Sequence, residues 1–217
     1  MANVVQICNA ALAHLGDGAT ISSIDPPEGS AQAEHCQTFY PLARDSLLEM
    51  HAWGFATKRA SLSQYSTNPT TAWAYAYAVP SDSINLIAIL ASDAADDLTS
   101  GLDIYSEEAA GTYFPQPFVS ETLTDGRQVI YTNQESAVLR YVASVTDPAQ
   151  FSPLFTLALS WHLASLLAGP IIKGDQGAAE AKRCAAMVQS ILAPAKESDA
   201  NDRRLVVAHS VPWFAGR

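Results

Sequence analysis

The chain has 217 residues, 48% of them hydrophobic and 16% charged, which suits one domain, or one domain with a sizeable insertion, and excludes a disordered sequence. Its 22 acidic and 12 basic residues give a formal net charge of −10. That balance excludes a general basic surface for nucleic acid, whose phosphates need clustered Lys and Arg.

Residues 3–15 predict an amphipathic helix, with Val4, Ile7, Cys8, Ala11, Leu12 and Leu15 on one stripe. Asn3 with Gln6 has capping-box spacing, and Gly16 stands where a helix C′ glycine belongs. Residues 16–30 read as loop, with Ser30 as the N-cap of a second helix to about Met50. Its stripe is Ala33, Cys36, Tyr40, Ala43, Leu47 and Met50, and Pro41 is expected to kink it. The stretch HAWGFATKRASL (51–62) follows, where the helical period ends.

The period then becomes two. WAYAYAV (73–79) places Trp73, Tyr75, Tyr77 and Val79 on one aromatic face of a strand, expected to pack on a helix layer. INLIAIL (84–90), RQVIYT (127–132) and AVLRYVA (137–143) predict further strands, with shorter ones at 102–106 and 118–123. Asp125-Gly126 predicts a hairpin turn, and 92–101 an acidic loop. Helical period returns at about 152–168, opened by Pro153 and apolar nearly all round. A fourth helix starts near 175, striped by Ala181, Cys184, Ala185, Val188, Ile191, Leu192 and Ala195. The expected class is therefore α+β, mainly α. A bundle of about four helices (1–55 and 146–203) carries an antiparallel β insertion (56–145) between helices 2 and 3, and an extended tail (204–217) follows.

Little in the chain suggests chemistry. The five histidines are scattered without HExxH spacing, and no GxSxG elbow exists. GPIIKG (169–174) has the glycine spacing of a P-loop but lacks the following Lys-Ser/Thr. Asp93, Asp96 and Asp97 lack EF-hand spacing, and Lys58-Arg59 suits an edge strand or an ion pair. No catalytic residue, cofactor or metal is expected. Cys8, Cys36 and Cys184 are odd in number and far apart, so they read as reduced thiols of a cytosolic compartment. No basic n-region and apolar h-region open the chain, so no secretory signal is expected. The apolar stretch 154–169 reads as too short and too polar to span a bilayer.

Four segments in order, ALAHLGDGATISSID (11–25), FYPLARDSLLEMHAWGFATKRASL (39–62), WAYAYAVPSDSINLI (73–87) and RYVASVTDPAQFSPLF (140–155), carry a resemblance. The chain resembles tail tubular protein A and related head-to-tail adaptor proteins of short-tailed phages and prophages. The matching patterns are R-D-x-L-L, H-x-W-x-F-A-x-[KR]-R-x-x-L, W-x-Y-x-Y-x-[LV]-P-x-D and Y-[IV]-x-x-V-T-D-P-x-x-F-x-P-L-F. The resemblance covers roughly residues 3 to 203. It departs at Ala52, where a Pro is common, and in 93–125, which matches nothing specific.

The resemblance implies a non-enzymatic virion protein, assembled in the host cytoplasm. It would form a ring, typically of twelve copies, beneath the portal. The ring would extend the DNA channel without sequence-specific binding and anchor a tail nozzle (a tail tubular protein B-like partner) and tail fibres, with no membrane involved. Val206, Val207, Val211, Trp213 and Phe214 of the tail would then meet portal or a neighbouring subunit, since exposed in a monomer they would form a costly patch. Trp53, Phe55 and Arg59 mark a helix–sheet junction, with the two rings expected as a wedge and Gly54 as a sharp turn. The alternatives are another neck or tail-completion protein, or a small-molecule-binding or hydrolytic domain using the Trp73, Tyr75 and Tyr77 face.

Overall fold

The computed structural model describes residues 3–18, 20–92 and 116–202. The chain is mainly α with antiparallel β, and it divides into two compact units. One contains the residues up to 56 together with 144–202, and the other residues 57–143.

The first unit holds four helices: α1 (Val4–His14), α2 (Ala31–Glu49), α3 (Pro153–Ile172) and α4 (Gly174–Asn201). The capping box of α1 is present. Asn3 Oδ1 accepts from the Gln6 N–H at 2.7 Å, and Gln6 Oε1 accepts from the Asn3 N–H at 3.0 Å. Gly16, at φ +74°, takes the left-handed position that ends the helix. Asn9 then exchanges two hydrogen bonds with the backbone of Ile21, which fixes the loop after α1 against that helix. Ser30 caps α2, which runs through Pro41 and buries Ala33, Cys36, Tyr40, Ala43, Leu47 and Leu48. Met50 falls outside the expected stripe. It is the C-cap, 44% exposed, and Leu48 takes the buried place.

Helix α3 is the centre of this unit and packs on α1, α2 and, most extensively, α4. Ser152 caps it and Pro153 occupies its first turn. It does not stop at 168 as the Gly169-Pro170 signal predicts, but continues to Ile172. The reason is tertiary. A Cβ on Gly177, in the first turns of α4, would lie 2.9 Å from the Ala168 carbonyl oxygen, so α4 seats directly on the α3 backbone and supports that last turn. Lys173 and Gly174, both at positive φ, make the turn between the two helices. At 20 residues α3 is long and apolar enough to cross a membrane by length and composition, which corrects the sequence estimate of its length. Phe155, Ala158, Leu159, Leu163, Ala164, Leu167 and Ala168 are buried along it.

The second unit holds six strands: β1 (Thr57–Ser61), β2 (Tyr75–Ala78), β3 (Ser83–Leu90), β4 (Phe118–Thr122), β5 (Gln128–Thr132) and β6 (Val138–Ala143). They form two antiparallel three-stranded sheets, ordered β1-β6-β3 and β2-β5-β4. Asp125-Gly126 turns the β4–β5 hairpin, with Gly126 at φ +83° and Leu123 N–H bonded to Arg127 O at 2.8 Å. The two sheets share a core of Tyr77, Ile89, Ile130, Leu139 and Tyr141, so the unit is a small sandwich. The strand expected at 102–106 and the acidic loop, except Ser92, lie outside the described residues, as do residues 203–217.

Candidate functional site

The side chains of HAWGFATKRASL resolve into packing and clasping. Trp53 is fully buried, and its indole N–H donates to Leu47 O at 2.9 Å, which satisfies a carbonyl near the C-terminus of α2. Its ring meets Phe155 edge-on at 5.1 Å, and Phe55 meets Phe155 at 5.0 Å and Phe151 at 5.7 Å. These described partners of the expected wedge all belong to the helical unit. Gly54 is not in the left-handed region. It matters instead for close approach: its N–H donates to Asp199 Oδ1 at 2.7 Å, and a Cβ would stand 3.2 Å from that oxygen. The other oxygen of Asp199 lies 3.2 Å from His51 Nε2. Arg59 lies on β1, an edge strand, directly opposite Arg140 of β6.

The expected aromatic face is only partly one face. Tyr77 is buried in the sandwich core, with its hydroxyl donating to Gln134 O at 2.9 Å, and Tyr75 packs partly against the same core. Trp73 does not join them. It precedes β2 and packs with Ala76, Val129 and Tyr131 on the opposite side of that strand, because period two holds only where the backbone is extended and paired. The layer that Tyr77 meets is the second sheet, through Ile89, Leu139 and Tyr141, where a helix layer was expected.

Two histidines each touch a serine. His14 Nε2 lies 3.0 Å from Ser160 Oγ, and His162 Nε2 lies 2.8 Å from Ser46 Oγ. Each serine hydroxyl also reaches a carbonyl oxygen of its own helix, Ser160 that of Leu157 at 2.8 Å and Ser46 that of Ala43 at 3.0 Å. With the hydroxyl proton so directed, the histidine Nε2 is the donor to the serine oxygen, the opposite of the accepting role of a general base. Burial lowers the pKa of both, and the Arg183 charge lowers that of His14 further. His14 also stacks on Trp161 at 3.7 Å, and Arg183 donates to the His14 carbonyl at 3.0 Å. The pairs fasten α3 to α1 and to α2.

The three cysteines are free and buried. The hydrogen bond with Cys36, together with burial, raises the Cys8 thiol, and burial raises that of Cys184, which keeps both protonated. Among the described residues no three or more His, Cys, Asp and Glu side chains are grouped to hold a metal ion. A groove of about 300 Å³ opens between α1 and α3, lined by Gln6, Ile7, Ala10, Pro153, Thr156, Leu157 and Ser160, none of them charged. Sequence periodicity gave no signal for it, because Leu157 reads as one more apolar position of a helix apolar all round. The tail residues Val206, Val207, Val211, Trp213 and Phe214 lie outside the described residues.

Further contacts join the segments singled out in the sequence. Arg44 pairs with Asp45 at 2.8 Å, and both reach Ser144 Oγ, at 3.4 and 3.3 Å. Asp82 accepts from Lys58 Nζ and from the Tyr141 hydroxyl, both at 2.9 Å. The Lys58 ammonium holds the Asp82 carboxyl below its ordinary pKa, while burial and Asp82 push Tyr141 up to about 12. Comparison of the chain with protein-family models and with curated proteins found no match.

Proposed function

We propose that this chain is a non-enzymatic structural protein of a phage virion, a head-to-tail adaptor that assembles as a ring beneath the portal. The observation that carries the reading is how its motif residues meet. Trp53 and Phe55 of the H-x-W-x-F-A segment pack on Phe151 and Phe155 of the D-P-x-x-F-x-P-L-F segment, about 100 residues away in sequence. Arg44 and Asp45 of R-D-x-L-L join Ser144, and Asp82 of P-x-D joins Lys58 and Tyr141. Residues that carry the resemblance thus spend their polar and aromatic groups on each other. That is how a scaffold motif behaves; a catalytic motif would aim its groups at a cavity.

Two physical features support the same reading. A chain of net charge −10 lining a channel repels the phosphate backbone, so a duplex passes without adhering. The exposed Leu42, Met50, Val119, Leu157 and Met187 leave apolar surface of the kind that lateral contacts between copies cover. The adaptor would bind portal on one side and a nozzle protein, with tail fibres, on the other, and need no cofactor. Co-sedimentation of the purified protein with portal rings encoded by the same genome tests this. The adaptor reading requires saturable pelleting with portal; a chain that stays in the supernatant at every ratio refutes it.

A further inference from the structure

We propose that Cys8 and Cys36 form an oxidation site, a pair of buried thiols that a peroxide converts into a disulfide joining α1 to α2. The pair stands on the packing of these two helices and goes beyond the adaptor reading.

The placement comes from the helical stripes. Cys8 lies on the buried stripe of α1 with Ile7, Ala11 and Leu12, and Cys36 on that of α2 with Ala33 and Tyr40. Both helices pack on α3, and both cysteines are fully buried. The two side chains meet in a thiol–thiol hydrogen bond, and both are free cysteines. Cys184 is elsewhere, on α4, with its sulfur 4.0 Å from Glu180 Oε1. A disulfide sets its sulfurs about 2 Å apart, and thiols already in contact close that gap by turning about their Cα–Cβ bonds.

The hydrogen bond makes the two sulfurs unequal. It raises Cys8 and lowers Cys36, so Cys8 is the S–H donor and Cys36 the acceptor. Thiolate character decides reactivity toward oxidants, which makes Cys36 the attacking sulfur. Tyr40 adds a third group. It follows Cys36 by one turn on the same face, and its buried hydroxyl has no hydrogen-bond partner among the described residues. Burial pushes that hydroxyl up to about 12, and Cys8 adds to the rise, which sets Tyr40 beside the pair. A buried hydroxyl without an acceptor is destabilising. An oxygen carried on Cys36 would supply that acceptor.

The chemistry balances in two steps. The Cys36 thiolate attacks one oxygen of hydrogen peroxide. The S–O bond forms, the O–O bond breaks, and the departing hydroxide becomes water with the proton that Cys36 released. The Cys8 sulfur then attacks the Cys36 sulfur. The S–S bond forms, the S–O bond breaks, and the second hydroxide leaves as water with the Cys8 proton. The thiol pair loses two electrons and one peroxide is reduced to two waters. Full burial restricts the step to oxidants hardly larger than water. The crosslink closes the connection between α1 and α2 into a covalent loop and so removes freedom from the unfolded chain.

The test uses the full-length protein, reduced, freed of reductant and treated with hydrogen peroxide. It is then alkylated under denaturing conditions and digested for peptide mass mapping. We expect one disulfide, Cys8 to Cys36, with Cys184 alkylated and the bond reversed by dithiothreitol. The oxidised chain should melt about 5–10 °C above the reduced one. Both thiols alkylated after peroxide, or a disulfide that includes Cys184, overturns the proposal. An oxidised chain that melts no higher overturns the staple. Cys8→Ala removes the second sulfur, so Cys36 stops at the sulfenic acid and takes up dimedone, whereas Cys36→Ala leaves Cys8 unlabelled. Dimedone on Cys8 with Cys36 unlabelled reverses the roles and overturns the assignment. Helical circular dichroism shows that the variants fold, and the wild-type map decides by itself if one does not. Tyr40→Phe should slow disulfide formation at least about threefold, the loss of one hydrogen bond. An equal rate removes Tyr40 from the site.

Discussion

The carboxylate of Asp199 accepts the Gly54 N–H at 2.7 Å across 145 positions of sequence, and its second oxygen lies 3.2 Å from His51. One side chain near the end of α4 therefore clasps the segment that leads out of α2. Removing it leaves the Gly54 N–H without that acceptor. Asp199→Ala is expected to lower stability by about 1–3 kcal/mol, with Asp199→Asn costing less because the amide oxygen can still accept. Urea unfolding measures both, and an unchanged midpoint for Asp199→Ala would show that the clasp holds nothing.

Trp53 combines full burial, contact with Phe155 and a hydrogen bond to Leu47 O. Trp53→Ala is expected to cost about 3–5 kcal/mol. Trp53→Phe keeps an apolar ring and forfeits the N–H, so its cost falls to roughly 1–3 kcal/mol. If Trp53→Ala leaves the melting temperature unchanged but abolishes assembly, this segment is an interface and not a packing wedge.

Gly177 sits in a helix, where Ala is ordinarily better by about 1 kcal/mol. Here the added methyl would lie 2.9 Å from the Ala168 carbonyl oxygen, closer than real contacts allow. Overpacking of this kind costs about 1–3 kcal/mol and should outweigh the propensity gain. Gly177→Ala therefore lowers the melting temperature. A rise would mean that α3 and α4 can separate at no cost.

His14 and His162 are both held below the ordinary histidine range, first by burial and, for His14, by Arg183 as well. The unfolded chain then binds protons before the folded one as pH falls. Stability is full above the unfolded value of about 6.5 and is lost as pH drops from there toward the folded values. Urea midpoints measured from pH 8 to pH 5 should decline, and His14→Gln/His162→Gln should flatten the decline. Identical slopes in variant and wild type would rule these two side chains out as its source.

Much of this fold is legible in the sequence because its signals are local. The Asn3–Gln6 box, Ser30, the Ser152-Pro153 start and the Asp125-Gly126 turn each act within four residues, and each stands where its chemistry predicts. What escapes is set by distant partners. Helix α3 passes Gly169-Pro170 because α4 supports it, and Trp73 leaves the Tyr77 face because pairing with β5 begins only at Tyr75. Asp199 gives no sign of its role, since nothing in KESDAND points toward Gly54. The groove needs α1 and α3 side by side before it exists.

The central claim, that this chain is a ring-forming adaptor, is tested most directly by the mass of its complex with portal rings. Sedimentation at saturating protein should give a complex heavier than portal by a fixed whole number of 23.1 kDa chains, about twelve by resemblance, with ring density extending the channel in negative stain. Portal of unchanged mass, with this protein remaining monomeric beside it, would contradict the account.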